Sequence, residues 1–288
     1  MTADAFTQGS VYLLDKERGT TSRRAASAVA RAWDCGKFGH GGTLDPDATG
    51  VLLVLLGRAT KLSRFLTGHG KRYSFDVVLG TATDTDDATG TVVETDPDPS
   101  VPDSGELLKL LERFTGSFQQ TPPAFSAVKV DGERAFKAAR RGESPKLPKK
   151  TVEASGWTVE AVEEPRIRLA VTVSSGTYVR GLARDIGRRL GTCAHADAIR
   201  RVSVGAFTVE QCSTGPDDPK ALLTMAEAMR GYPSVQLSGR KLVSVRHGMT
   251  VPADASGTVA LLGPGSRLMA VGHGDGTAVR PVCVLRPL

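Results

Sequence analysis

No two cysteines in this 288-residue chain form a CxxC unit. Cys35, Cys193, Cys212 and Cys283 stand apart, which argues against a zinc ribbon or a thioredoxin-like centre and fits reduced thiols in the cytoplasm. Long apolar runs are missing too. The longest, Val51–Leu56, falls far short of the roughly 20 residues a membrane-spanning helix needs. The opening MTADAFTQGS has no basic start followed by an apolar stretch, so it does not read as a secretory signal. Repeats and low-complexity tracts are likewise absent. The expectation is a soluble, cytoplasmic protein.

What is present has an ordinary globular balance, with 40% hydrophobic and 24% charged residues. The length suits one large domain plus a small one. Lys and Arg number 37 against 31 Asp and Glu, a formal charge of +6. An excess of this kind steers phosphates, though many basic proteins have no nucleic-acid partner, and charge alone leaves both readings open.

The apolar pattern predicts a strand at 11–14 and a helix capped by Thr21 or Ser22, with Ala25, Ala26, Val29, Ala30 and Trp33 on one stripe. Strands follow at 51–56 and 73–80, then a solvated, acidic hairpin and loop from Asp84 to Gly105. Helices are expected at 106–114, capped by Ser104, and at 133–141, with strands near 151–163 and 166–173. The helix from Tyr178 to Leu190 carries Val179, Leu182, Ile186 and Leu190 on one face and ends at Gly191. One more helix runs from Pro219 to about Arg230. Four short strands, at 241–245, 258–262, 267–272 and 278–285, then suggest a small β module. Strands and helices mix without regular βαβ alternation, so the fold class is α+β with a mixed or largely antiparallel sheet.

The densest chemistry lies in GHGGTLDPDATG, residues 39–50. The glycines allow close backbone approach, and Pro46 holds Asp45 extended, a way to present a carboxylate from a loop as nucleophile or base. An Asp-Pro pair taken alone is more often a loop aspartate that caps a turn.

Together with GRATKL at 57–62, this stretch resembles the signature of the TruB family of tRNA pseudouridine synthases. Further matches follow in the family's order: Lys71-Arg72-Tyr73, TDTDDATG at 83–90, PPAFSAVKVDGERAF at 122–136, SSGTYVRGLARDIG at 174–187 and AHADAIRR at 194–201. DKERGTTS at 15–22 resembles the family's start, and the similarity covers about residues 9–209.

The resemblance implies a pseudouridine-synthase-like catalytic domain over 1–232, with a basic RNA-clamping insertion at about 122–151, and a small PUA-like RNA-binding domain over 233–288. It implies an isomerase that needs no cofactor or metal, with tRNA, most simply uridine 55 of the T-loop, as partner. No protein partner is implied, and a monomer is expected. Asp45 maps onto the catalytic carboxylate, Tyr73 onto the tyrosine that stacks on the target base, and Arg180 onto the arginine that pairs with the aspartate. His40, Tyr178 and Ile199 map onto residues around the flipped nucleotide. Lys129, Arg140 and Arg141 belong to the clamp, where residues 129–150 hold eight Lys and Arg against three acids.

Some positions depart from the pattern. Glu17-Arg18 replaces a proline, Arg23 a histidine, Gly41 a threonine and Asp47 an apolar residue, while Phe125 and Phe136 stand where tyrosines are frequent. Two other readings therefore stay open from sequence: a synthase for a different RNA or nucleotide substrate, and an RNA-folding helper with little catalysis.

Overall fold

A computed structural model describes residues 9–130, 132–143 and 146–285. Their contacts sort them into two units. One takes the residues up to Pro46, Val51–Thr67 and those from Gly205 on; the other takes Asp47–Gly50 and Gly68–Val204.

In the second unit five strands form an antiparallel array in the order Ala194–Val204, Lys71–Leu79, Arg166–Val173, Lys150–Glu163, Gly116–Gln120. The alternation of RIRLAVTV is realised as a two-faced strand: Ile167, Leu169, Val171 and Val173 are buried, whereas Arg166 and Arg168 are exposed. Asp76 is buried yet satisfied, because Arg168 lies opposite it in register and donates two hydrogen bonds at 2.7 and 3.0 Å. The helix Val179–Arg189 packs on the strands Lys71–Leu79 and Ala194–Val204 through Leu182, Ala183 and Ile186. Gly187 lets it approach, since a Cβ there would lie 2.4 Å from the Cβ of Ala194.

Thr49 and Gly50 run parallel to Arg200 and Arg201. Gly50 has φ +101° and a Cβ would meet the Arg201 carbonyl oxygen at 2.2 Å, so the glycine that closes the motif is required by space and by backbone angle together.

In the first unit Val51–Leu56 is buried at every residue, as a strand covered on both faces should be. Ser10–Lys16 lies between it and Leu222–Thr224. Thr21 caps the helix Ser22–Ala32, which buries Ala25, Ala26, Val29 and Ala30 of the expected stripe, while Trp33 follows it as the half-buried C-cap residue. Toward the C-terminus five short strands, in the order Ser234–Gln236, Ser256–Leu262, Leu268–Asp275, Ala278–Val284, Val251–Pro252, enclose a core that includes Leu237, Val245, Val251, Val259, Leu261, Met269 and Val279. The whole is α+β, as the sequence pattern predicts, and among the described residues no helix is long and apolar enough to cross a membrane.

Three local expectations are corrected. Residues 241–245 lie in a helix, Gly239–Arg246, because Leu242 and Val245 turn inward at a spacing of three while Val243 stays exposed. The helix expected from Pro219 breaks up. Leu222–Thr224 pairs with Ser10–Tyr12 as a strand, and Thr224 then opens a new short helix with a capping box to Glu227. Asp103, not Ser104, caps the helix Ser104–Leu111, with Glu106 closing the box.

Candidate active site

Asp45 follows the short strand Phe38–His40, which pairs with the buried run so that His40 faces Val54 in register. The Gly41 N–H then bonds the Leu53 carbonyl at 2.8 Å, and a Cβ on Gly41 would press on Leu53 at 3.1 Å. On one side of Asp45, a single buried hydroxyl holds the chain: Ser22 Oγ accepts from the Leu44 N–H at 2.8 Å and donates to the Leu44 carbonyl at 2.9 Å. On the other side, the Pro46 carbonyl accepts from the Gly19 N–H at 2.9 Å and from Lys16 Nζ at 3.0 Å. Lys16 is 1% exposed, and its ammonium also donates to the carbonyls of Glu17 and Thr20, which offsets the cost of burying it. The backbone is thus fixed on both flanks of a half-exposed aspartate. Preorganisation of this kind lets a carboxylate act without losing freedom at the moment of reaction.

The second unit brings Tyr73, Tyr178, Arg180 and Ile199 onto one framework. Tyr73 sits in mid-strand between Val171 and Arg201, nearly buried, and Arg201 is fully buried. Burial, and then the charge of Arg201, push Lys71 down to about 8. Ile199 stands on a β-bulge: the register with Lys71–Leu79 slips between Asp197 and Arg200, and Ala198 has φ +48°. A bulge re-aims the side chain it carries. Tyr178 occupies the N-cap position of the helix Val179–Arg189. Its N–H donates to Gln120 Oε1 at 2.9 Å and its carbonyl accepts from Gln120 Nε2 at 3.0 Å, so one buried amide fixes both backbone groups.

Arg180, on the first turn, is buried. It donates to the carbonyls of Thr85 at 2.7 Å and Phe125 at 3.1 Å and lies 3.5 Å from the Asp87 carboxylate. One turn on, Arg184 pairs with Asp86 at 2.7 Å and donates to the Thr121 carbonyl at 2.8 Å. Burial pushes the Asp86 carboxyl up, and Arg184 and Arg180 pull it back. Among the described residues no three His, Cys, Asp or Glu side chains gather at metal-ligand spacing.

Comparison with known proteins decides the family. Residues 30–179, just over half the chain, match the model described as TruB family pseudouridylate synthase, N-terminal domain. A protein of Syntrophotalea carbinolica called tRNA pseudouridine synthase B is 36% identical over 93% of this chain and 90% of its own length. One of the same name from Thermobifida fusca is 39% identical, over 95% and 97%. The chain belongs to the TruB family of pseudouridylate synthases.

The TruB assignment makes it an RNA pseudouridine synthase, an isomerase. Its fold agrees. A chain from the crystal structure of a Cbf5–Nop10–Gar1 complex superposes with a TM-score of 0.77 at 26% identity, over 100% of this chain and 88% of that one. The five-stranded C-terminal sheet is PUA-like.

Within the TruB chain, the basic segment pairs Lys129–Val130 with Glu133–Arg134 and continues into the helix Ala135–Arg140. Lys129 and Arg140 are exposed, and Arg140 lies over the Phe136 ring at 5.4 Å. Arg141 is held inside the segment, by Glu133 through two hydrogen bonds at 2.9 and 2.7 Å and by Glu143 at 2.7 Å.

Sequence reading missed several supporting residues. From sequence, Ser22 reads as a possible cap and Lys16 only as part of a family motif. Gln120 and the aspartates that face Arg180 and Arg184 were not singled out. Motif membership was the available signal, since DKERGTTS and TDTDDATG contain Lys16, Ser22, Asp86 and Asp87.

Proposed function

We propose that this enzyme isomerises uridine to pseudouridine in tRNA, at uridine 55 of the T-loop, with Asp45 as the catalytic carboxylate. The observation that carries the proposal is the pinning of Leu44 by Ser22 and of Pro46 by Lys16 and Gly19, around a half-exposed aspartate in the family's longest motif. The names of its relatives support tRNA as the substrate.

The reaction breaks the N1–C1′ bond, turns the bound uracil and forms the C5–C1′ bond, while the hydrogen on C5 leaves as a proton and N1 gains one. Substrate and product are isomers, so no co-reactant enters the balance. Asp45 acts at the sugar or base while the uracil is detached. In this reading Arg180 is the cation that pairs with it and orients it. Tyr73 stacks on the base and is placed for proton transfer. A uridine in a folded loop must leave its stack to react, at a cost of a few kcal/mol. His40, Tyr178 and Ile199 receive the flipped nucleotide, and Lys129 and Arg140 hold its backbone, with Arg141 in the same clamp but engaged by Glu133 and Glu143.

We place the domain boundary near residue 232, with the insertion at about 122–151 as the clamp. The working form is a cytoplasmic monomer. Tritium release from C5-tritiated uridine in an unmodified tRNA transcript tests the reading, with Asp45→Asn as its partner. Release by the wild type and none by the variant is the expected result. Equal release by both rejects Asp45, and no release by either rejects this substrate.

A further inference from the structure

The helix Val179–Arg189 carries Tyr178 and Arg180 at its start, and at its far end lies a cleft of about 470 Å3. Nine residues at ~1.5 Å each put Arg189 roughly 13 Å along the axis from Arg180. Arg188 and Arg189 line it together with Arg113, from the short helix Glu112–Phe114. Phe114 and Phe118 line it too, edge to face with centroids 5.9 Å apart, and Phe118 is half-exposed.

The lining is unbalanced in charge. Asp185 is its one acid, and Arg184 Nε already engages that carboxylate at 2.9 Å. Arg113, Arg188 and Arg189 are exposed and make no side-chain hydrogen bond or ion pair with another described residue. Basic residues in a last helical turn complement the helix dipole, which accounts for Arg188 and Arg189. It does not account for Arg113, which comes from another element, nor for a half-exposed aromatic ring in the same lining. Three like charges around one concavity repel one another until an anion enters. Guanidinium groups bind phosphate with directed hydrogen bonds, and a half-exposed aromatic ring beside them offers a base a stacking face.

We infer that this cleft holds a backbone phosphate of the RNA substrate, with an adjoining base against Phe118. The inference rests on the RNA reading above and adds an anchor separate from the basic insertion. Contacts of this sort fix the position of an RNA without reading its sequence.

The test compares the wild type, the triple variant R113Q/R188Q/R189Q and the charge-preserving triple R113K/R188K/R189K. The dissociation constant for an unmodified tRNA transcript is measured across a salt series. Melting temperatures establish that all three proteins are folded. The glutamine triple is expected to bind about tenfold or more weakly at low salt, with the slope of log K on log salt reduced by roughly 0.7–0.9 for each phosphate lost. The lysine triple is expected to keep most of the wild-type slope. A folded glutamine triple with the wild-type affinity and slope overturns the inference. Tritium release by the wild type is scored on the same RNA. Binding without release counts against the proposed reaction, while the slopes still decide the cleft.

Discussion

At the scale of single residues, the loop around Asp45 is held by side chains distant in sequence. Asp45 is readable as a candidate because glycine and proline act on their own neighbours, and because a long motif surrounds it. Ser22 is not, because its hydroxyl serves Leu44 from 22 positions away, and no local pattern announces such a bond. Its removal defines a prediction. Ser22→Ala leaves a buried N–H and a buried carbonyl of Leu44 without this partner, at a cost of about 1–3 kcal/mol for each group left unsatisfied. The loop beside Asp45 is then free to shift, and a displacement of about 1 Å in a reacting group can cost on the order of a hundredfold in rate. We expect a lower melting temperature and a single-turnover tritium-release rate reduced at least tenfold. A variant that melts earlier yet reacts at the wild-type rate would show that the hydroxyl holds the fold and not the aspartate.

At the scale of elements, periodicity was informative where one face meets a core and poor where a short segment has two options. RIRLAVTV and the helix from Val179 were readable because their buried faces are continuous. Leu222–Thr224 was not, because it becomes a strand through Ser10–Tyr12, a partner more than 200 residues away. The basic insertion shows the same limit in its charges. Composition counted Arg141 as a cation for RNA, but Glu133 and Glu143 grip it, and it holds both carboxyls below their usual range. Replacing both with glutamine should release the guanidinium. Glu133→Gln/Glu143→Gln is expected to bind tRNA several-fold more tightly at low salt, with a slope steeper by about 0.7–0.9 if one phosphate is gained. An unchanged slope would mean that Arg141 serves the segment's own structure and contributes no RNA contact.

At the scale of the whole molecule, fold class was legible because mixed strands and helices without βαβ alternation leave few architectures open. The burial of cations was not, since a lysine in a strand gives no sign of its depth. Lys71 is 7% exposed, donates to the His69 carbonyl at 2.8 Å, and titrates near 8 instead of 10.5. The consequence for stability has a definite sign. Below pH 8 the ammonium is charged in both states, and the folded protein carries the full cost of burying it. Between 8 and 10.5 the unfolded chain binds more protons, so stability rises with pH, by at most about 1.4 kcal/mol per unit from this group. Above 10.5 both states are neutral and the cost is gone. Lys71→Met removes the titration and leaves the other alkaline groups in place, among them Tyr12 and Tyr232, which burial pushes up. Urea unfolding of both proteins from about pH 7 to 10 should therefore show the wild type gaining on the variant by on the order of 2 kcal/mol. A difference that stays constant across that range would mean that Lys71 keeps its proton in the fold, with Arg201 beside it compensated by neighbouring acceptors.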